Sequence, residues 1–189
     1  MPYRLPKFRT NQYYHLYNRG VEKREIFISK EDYRSFIRFM FKYPIDKKNN
    51  ELVRIICYCL MPNHFHLVLQ QKTPQGITKY LQKFLTAYSM YFNYIYDRVG
   101  PLYQGRTKSR IIENDMQLAT ISRYVHRNPL KVVSKYEDIL TYSFSSFPFY
   151  MKQAKARYTK ILSLFNNDPK IYRSFTLFDS PAKSPDLPI

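Results

Sequence analysis

Two histidines one residue apart, His64 and His66, are the feature of the sequence with the most specific chemical implication. Alternate side chains of a β-strand project to the same face, so the two imidazoles would lie together, about 6 to 7 Å apart along the backbone. The intervening Phe65 would then anchor the strand in the opposite, hydrophobic layer. Such a pair can bind one divalent ion. Two histidines on a solvated or nucleic-acid-facing sheet surface are the alternative interpretation.

A tyrosine and an asparagine four residues apart form the second feature, because Tyr124 and Asn128 would share one face of a helix. A phenol oxygen can attack a phosphate that a metal polarises, and the product is a phosphotyrosine. The pattern alone favours a simpler interpretation, in which Tyr124 belongs to the core and Asn128 caps the helix before Pro129. Apolar residues lie close to the same face: Leu118, Ile121 and Val125.

Hydrophobic periodicity and turn residues predict the elements that carry these side chains. The predicted strands span residues 13–18, 53–60, 64–70 and 102–112. The predicted helices span residues 30–42, with Ser29 as N-cap, about 76–98, and about 115–128, with Asn114 or Asp115 as cap. This order predicts an α+β fold, a ferredoxin-like βαββαβ antiparallel sheet with an added helix that carries Tyr124.

The pattern weakens after about residue 135, and we expect a domain boundary near residue 150. Residues 151–189 would form a C-terminal helical extension, with a helical segment from Ile161 to about Phe178 that is broken at Asp168-Pro169. The last ten residues contain three prolines and should be loose.

The charge balance indicates a polyanionic partner, because 31 Lys and Arg residues stand against 14 Asp and Glu residues, a net charge of +17. No run approaches the ~18 to 20 apolar residues of a membrane span, and the N-terminal segment lacks the apolar stretch of a secretory signal. Nucleic acid is therefore favoured over a membrane. The aromatic content of 17% suits unpaired bases, which stack on aromatic faces, although any single ring is more often part of the core.

Several basic residues are candidates for phosphate contacts. Arg19 precedes Gly20, whose missing side chain would let the backbone approach a phosphate. Alternation along the predicted fourth strand would place three cations on one side: Arg106, Lys108 and Arg110. Further cations lie on the predicted helices or just past them: Lys79, Lys83, Arg123, Arg127 and Lys131.

The other histidines and the cysteines have weaker implications. His15 would lie on the first strand, either near the active site or as a hydrogen-bonded structural residue. His126 would point away from Tyr124 on its helix, which favours a structural or DNA-facing role. Cys57 and Cys59 are the only cysteines; they cannot easily close a disulfide within one strand and are expected to be buried and reduced.

The segments that carry these residues resemble the REP-associated tyrosine transposases, which belong to the single-tyrosine branch of the HUH (His-hydrophobic-His) nucleases. The resemblance covers about residues 12–150 and rests mainly on the segment from Met61 to Leu69 and on the segment from Arg123 to Lys131. Shorter matches lie at residues 14–20, 102–106 and 142–147.

The resemblance implies a set of roles. His64 and His66 would be metal ligands, Asn128 would complete the site, and Tyr124 would be the nucleophile. The family uses Mg²⁺ or Mn²⁺, cuts single-stranded DNA that forms hairpins, keeps the 5′ end on tyrosine and releases a 3′-OH that can rejoin DNA. The resemblance further implies a monomer or homodimer in the bacterial cytoplasm, associated with the nucleoid.

Two alternative functions stay open at this stage. A non-catalytic single-strand binder is possible because RNA-recognition modules also use a sheet with exposed aromatic residues, although the chain lacks their Lys/Arg-Gly-Phe-Gly-Phe run. An HUH replication initiator or relaxase would share the chemistry, but those chains are often longer.

Overall fold

The computed structural model describes residues 8–133, 135–152 and 159–178. Its strands are β1 (Tyr13–Arg19), β2 (Val53–Met61), β3 (His64–Gln71) and β4 (Lys108–Ile112). Its described α-helices are α1 (Lys30–Lys42), α2 (Gly76–Ile95), α3 (Asp115–Arg127), α4 (Phe147–Met151), α5 (Thr159–Ser163) and α6 (Pro169–Leu177). The order of elements up to α3 confirms the predicted α+β fold.

The four strands form one sheet in the order β2-β3-β1-β4, and every neighbouring pair is antiparallel. Tyr17 on β1 lies opposite His66 on β3 and opposite Lys108 on β4. Residues directly opposite each other project to the same face of a sheet. The register therefore places both histidines of β3 and the basic residues of β4 on one face.

The two faces of the sheet support separate hydrophobic cores. Leu16, Phe65 and Leu67 belong to a core with residues of α1 and α2, among them Phe36 and Phe84. The opposite face contributes to a second core with α3 and the C-terminal helices: Cys57, Cys59, Val68, Leu118, Val125 and Tyr172. The face that carries His64 and His66 is therefore the face against which α3 packs.

Local capping signals set the starts of the helices that frame the site. Ser29 and Asp32 form a capping box at α1, with the Asp32 amide donating to Ser29 Oγ over 3.3 Å. Asn114 caps α3 by accepting from the Gln117 amide over 2.8 Å. These two helices begin where the sequence predicts, and α3 ends at Arg127, one residue before the predicted end.

The predicted fourth strand, residues 102–112, is wrong in its first half, because β4 begins only at Lys108. Residues 101–107 form an irregular segment in which Gly105 has a φ of 70°. This left-handed conformation is incompatible with a continuous strand. Tyr103 keeps only an isolated bridge to Gly20. The long helix α2 also ends three residues earlier than predicted, at Ile95.

The C-terminal segment agrees with its sequence pattern in the described residues. A break separates α5 from α6, as predicted, and Asp168 caps α6 ahead of Pro169. The predicted loose tail lies outside the described residues, and the domain boundary at residue 150 stays a prediction. Both cysteines are buried and unpaired. In the part of the chain that the structure describes, no helix is long and apolar enough to cross a membrane.

Candidate active site

The two histidines of β3 lie side by side beneath α3. His64 is 7% exposed and His66 is fully buried. Their ring centroids are 5.2 Å apart. The rings are nearly perpendicular, at 88°. Both residues lie on one face of the sheet, as the alternation of the sequence predicts.

A hydrogen bond to the preceding residue defines which nitrogen of His64 is available. His64 Nδ1 lies 2.7 Å from Asn63 Oδ1. The amide nitrogen of Asn63 donates to the Lys23 carbonyl over 3.2 Å, which assigns Oδ1 to the side of the imidazole. An amide oxygen only accepts, so His64 Nδ1 carries the proton in the neutral ring and Nε2 keeps its lone pair.

Asn128 presents its oxygen to the same region. It follows α3 directly, at the start of a 3₁₀ helix that spans Asn128–Lys131. Its amide nitrogen donates to the Tyr124 carbonyl over 3.0 Å, so that Oδ1 faces the other way. The side chain of Asn128 interacts with both imidazoles, whose pKa values it raises, and with the Tyr124 phenol, whose pKa it lowers. These interactions place Asn128 between α3 and β3.

Four polar atoms in this region are buried without a hydrogen-bond partner among the described residues. Three belong to the candidate ligands, His64 Nε2, His66 Nε2 and Asn128 Oδ1, and the fourth is His15 Nδ1. Buried polar atoms are nearly always paired, so an unpaired group indicates a missing ligand or ion. Two imidazole nitrogens and an amide oxygen suit a divalent cation and leave positions open for phosphate oxygens.

The described residues contain no group of three or more His, Cys, Asp or Glu side chains that could hold a metal. A metal at this position would therefore depend on the amide oxygen of Asn128 as its third protein ligand. The three unpaired atoms fit that composition.

Tyr124 lies directly over the histidine pair. Its ring centroid is 5.3 Å from that of His66 and 6.1 Å from that of His15, in edge-to-face arrangements. Burial raises the pKa of Tyr124 above its ordinary value of 10.0, and the contact with Asn128 only partly opposes this. The phenol is therefore protonated at neutral pH.

The two histidines among the candidate ligands are neutral at pH 7. Burial lowers the pKa of His64 to about 4, with further lowering by the positive charges of Lys131 and Arg19. Burial also holds the pKa of His66 well below its ordinary value. A neutral imidazole is the form that binds a metal, so no proton has to be removed from either ring.

The structure places three further residues beside the histidine pair. The sequence left the role of His15 open, named Lys131 only as a candidate phosphate contact and gave no role to Tyr17. His15 is fully buried, and its Nε2 lies 3.0 Å from His66 Nδ1. The ring of Tyr17 is 6.1 Å from that of His66. Lys131 lowers the pKa of both His64 and His66, so its charge lies near them. Alternation along β1 already places His15 and Tyr17 on one face; the missing signal was which residues of β3 lie opposite.

The candidate DNA-binding cations divide into two groups. Lys108 and Arg110 are exposed and lie opposite Tyr17 and His15, on the face of the sheet that carries the histidines. Lys108 Nζ is 5.9 Å from the centroid of the Tyr17 ring. Arg19 lies opposite His64 and donates to the Gln104 side chain. These three cations border the candidate site.

Arg106 is separated from that group. It is exposed in the segment before β4 and lines a cleft beside α2 with Asn18 and Tyr103. The prediction that Arg106 shares a face with Lys108 and Arg110 is wrong, because the strand starts after Arg106 and alternation does not apply to it.

Gly20 lies too close to a neighbouring backbone segment to carry a side chain. A Cβ atom at Gly20 would lie 2.2 Å from the Arg24 carbonyl oxygen, so no larger residue fits. Its amide donates to the Asn63 carbonyl over 2.9 Å and is therefore already engaged. The approach of the backbone at Gly20 to a phosphate stays a prediction.

The two arginines of α3 differ in their surroundings. Arg123 is only 7% exposed, and its guanidinium lies 5.1 Å from the centroid of the Phe175 ring on α6. It packs against the C-terminal extension, and its role in DNA binding stays a prediction. Arg127 is partly exposed in the last turn of α3.

His126 has the structural role that its position on α3 predicts. It is fully buried, with Nδ1 2.6 Å from the Tyr172 hydroxyl and Nε2 2.8 Å from Ser146 Oγ. These contacts connect α3 to α6 and to the segment before α4.

Comparisons with known proteins concern the family and the fold of the chain. The family model of IS200-like transposases matches residues 8–128, which include every residue of the candidate metal site and Tyr124. The solved structure of a REP-associated tyrosine transposase bound to a REP hairpin is similar in fold, with a TM-score of 0.62 and 14% sequence identity. That similarity covers 81% of this chain and 86% of the other. No curated protein shows significant sequence similarity to the chain.

Proposed function

The chain belongs to the family of IS200-like transposases, and from that premise we propose that it cuts and rejoins single-stranded DNA through a 5′-phosphotyrosine on Tyr124. The proposal depends mainly on three buried atoms, on His64, His66 and Asn128, that could bind a metal and have no hydrogen-bond partner in the described part of the chain. They lie beside the Tyr124 ring. A non-catalytic binding module would leave these three atoms without a function.

His64, His66 and Asn128 would hold Mg²⁺ or Mn²⁺. When bound, such a cation polarises the scissile phosphate and favours the phenolate over the phenol. The two imidazoles are already neutral, and Asn63 holds the His64 ring with its Nε2 unprotonated. The side chains therefore need little rearrangement to act as ligands.

Tyr124 would act as the nucleophile. Its phenol oxygen forms a bond to phosphorus, the bond from phosphorus to the 3′ oxygen breaks, and the released strand ends in a 3′-OH. Burial keeps Tyr124 protonated in the resting protein, so the phenol gives its proton to water during this step, and the departing 3′ oxygen takes one up. A 3′-OH that attacks the phosphotyrosine reverses the reaction and joins DNA without a nucleotide cofactor.

The basic residues around the site would bind the DNA backbone. Arg19 and Lys131 lie near His64, close to the expected position of the scissile phosphate. Lys108 and Arg110 extend the positive surface across β4, and Arg127 continues it at the end of α3. The REP hairpin bound to the similar solved structure supports a hairpin-forming single strand as the substrate.

The resemblance to REP-associated transposases also supports proposals on oligomeric state, location and domain limits. The protein would act as a monomer or homodimer in the bacterial cytoplasm, in association with the nucleoid. Residues 1–150 would form the transposase domain, and residues 151–189 would form an extension that supports α3 through contacts such as that between Tyr172 and His126.

The test is covalent trapping of labelled hairpin oligonucleotides from the DNA that flanks the gene. Wild type, Tyr124→Phe and Asn128→Ala are incubated with Mg²⁺, Mn²⁺ or EDTA, and the products are separated on denaturing gels. We expect a metal-dependent protein–DNA adduct that is lost in Tyr124→Phe, and mass spectrometry should locate the nucleotide on Tyr124.

A matched control is Tyr94→Phe, because Tyr94 is 85% exposed on α2 and the chemical change is the same. It should form the adduct as wild type does. An adduct that persists in Tyr124→Phe, or hairpin binding without any adduct in either metal, would contradict the proposed mechanism.

A further inference from the structure

We infer that His15 is a positioning residue for the metal site, whose Nε2 accepts a hydrogen bond from His66 Nδ1 and so keeps His66 Nε2 unprotonated. The inference rests on the proposed function, because it concerns the same metal site. It assigns a role to a fully buried histidine that is not one of the three proposed metal ligands.

His66 is the hydrogen-bonded neighbour of His15 among the described residues, and the other ring nitrogen of His15, Nδ1, is buried without a partner there. His15 Nε2 is 3.0 Å from His66 Nδ1, and both side chains are fully buried. The two rings are nearly parallel, with centroids 5.1 Å apart and an interplanar angle of 20°. The Tyr17 ring stacks on His15 at 5.2 Å and 27°, and the edge of Tyr124 lies 6.1 Å away. His15 is therefore held in one orientation beside the ligand.

The direction of this hydrogen bond decides whether His66 can bind a cation. A neutral imidazole has one N–H and one lone pair, so one of the two facing nitrogens must donate and the other accept. If His15 donates, the proton of His66 lies on Nε2 and blocks a metal. If His66 donates from Nδ1, its Nε2 lone pair is available. Only the second arrangement is compatible with a metal ligand.

The second ligand has the same kind of support. His64 donates from Nδ1 to the side-chain oxygen of Asn63, which leaves Nε2 for the cation. Metal-binding histidines generally donate their other N–H to a neighbouring acceptor, which fixes the tautomer and the ring orientation. His64 and His66 are therefore arranged alike: each has an unpaired Nε2 and donates from Nδ1 to a neighbouring acceptor, Asn63 for His64 and His15 for His66.

Metal affinity measured without DNA tests this role. Mn²⁺ binding is followed by electron paramagnetic resonance in wild type, His15→Leu and His15→Gln. Loss of the acceptor in His15→Leu should weaken Mn²⁺ binding by roughly 10- to 100-fold, the usual effect of removing such a partner. Glutamine carries an oxygen that can accept from His66 Nδ1, so His15→Gln should recover most of the lost affinity.

The matched control is Tyr14→Phe. Tyr14 neighbours His15 on β1 but faces the opposite core, where its hydroxyl accepts from the Arg9 amide over 2.7 Å. This variant should bind Mn²⁺ as wild type does. Thermal unfolding in EDTA shows whether each variant folds, so that affinity and folding are compared separately.

The tautomer of His66 can also be read in the wild-type protein, which keeps the inference testable if His15→Leu does not fold. The chain has only four histidines, so their ring ¹⁵N signals can be assigned from single substitutions. At saturating Mg²⁺ we expect a proton on His66 Nδ1 and none on Nε2.

The outcomes separate this inference from the proposed function. Wild-type Mn²⁺ binding that is lost in His64→Ala but unchanged in His15→Leu would overturn the role of His15 and leave the metal site standing. A proton on His66 Nε2 at saturating Mg²⁺ would overturn His66 as a ligand and His15 with it. Wild-type Mn²⁺ binding that is absent, or unaffected by His64→Ala, would overturn the metal site itself and both proposals.

Discussion

The substitution Tyr172→Phe should destabilise the helix that carries Tyr124 without changing any atom of the proposed active site. The Tyr172 hydroxyl is 2.6 Å from His126 Nδ1 and 3.1 Å from Ser122 Oγ, and the side chain is fully buried. His126 and Ser122 both lie on α3, so this one hydroxyl connects α6 to α3 at two points. Phenylalanine keeps the ring and removes the hydroxyl that makes these contacts.

The expected loss follows from the burial of His126. Its Nε2 is paired with Ser146, so removal of the hydroxyl leaves Nδ1 buried without its partner. Burial lowers the pKa of His126 to about 3, so the ring stays neutral at pH 7 and cannot be stabilised by becoming charged. An unpaired buried group costs about 1–3 kcal/mol. For a chain of this size that corresponds to a decrease of about 2–12 °C in Tm.

The measurement is urea unfolding at pH 7 in EDTA, followed by circular dichroism. Tyr94→Phe is again the matched control, because its 85% exposed hydroxyl should contribute almost nothing. A free energy of unfolding for Tyr172→Phe within about 0.5 kcal/mol of Tyr94→Phe, the usual range of surface substitutions, would refute the reasoning. α6 would then not support α3 through this hydrogen bond.

Three further predictions concern pH, the metal and DNA. The pKa of His126 is depressed to about 3 in the folded protein and is about 6.5 in the unfolded chain. As the pH falls, the unfolded chain therefore takes up a proton on His126 before the folded protein does. The contribution of neutral His126 to the free energy of unfolding is complete above about pH 6.5 and decreases toward pH 3, by about 1.4 kcal/mol per pH unit. Urea unfolding at pH 7 and at pH 5 should show that the free energy of unfolding falls by about 2 kcal/mol less in His126→Gln than in wild type. An equal decrease in the two proteins would contradict the buried neutral state of His126. Asn128→Asp should bind Mn²⁺ at least as tightly as wild type and Asn128→Ala more weakly, as titration calorimetry would show; equal affinity in Asn128→Ala would exclude its oxygen as a ligand. Lys108→Ala should lower hairpin affinity and reduce the slope of log K against log salt by about 1, whereas the exposed Lys47→Ala, on the turn before β2, should change neither.

Local sequence signals account for the elements that hold the site. Ser29 and Asn114 cap α1 and α3 where the sequence predicts, because an N-cap depends only on residues within one turn. The period of two in β3 places His64 and His66 on one face for the same reason. The break before α6 follows from Asp168 and the proline after it.

The prediction for Arg106 failed because it extended the alternation of a strand through a glycine. Gly105 adopts a positive φ, which ends the alternation that had placed Arg106 beside Lys108. Gly20 has an ordinary backbone conformation, and its requirement comes from the approach of the Arg24 carbonyl. Neither fact is visible in the neighbouring residue types.

The sequence by itself determined the chemical groups of this protein, the spacing of His64 and His66 and of Tyr124 and Asn128, and the excess of positive charge. Only the tertiary structure decided which of their atoms meet. The pairing of β1 with β3 brings His15 to His66, and the packing of α3 on the sheet sets the Tyr124 ring over that pair. The direction of the Asn128 oxygen depends on its amide binding the Tyr124 carbonyl. Hydrogen bonds and metal sites depend on the positions of individual atoms to a fraction of an ångström, and those positions are set by contacts between residues far apart in the chain.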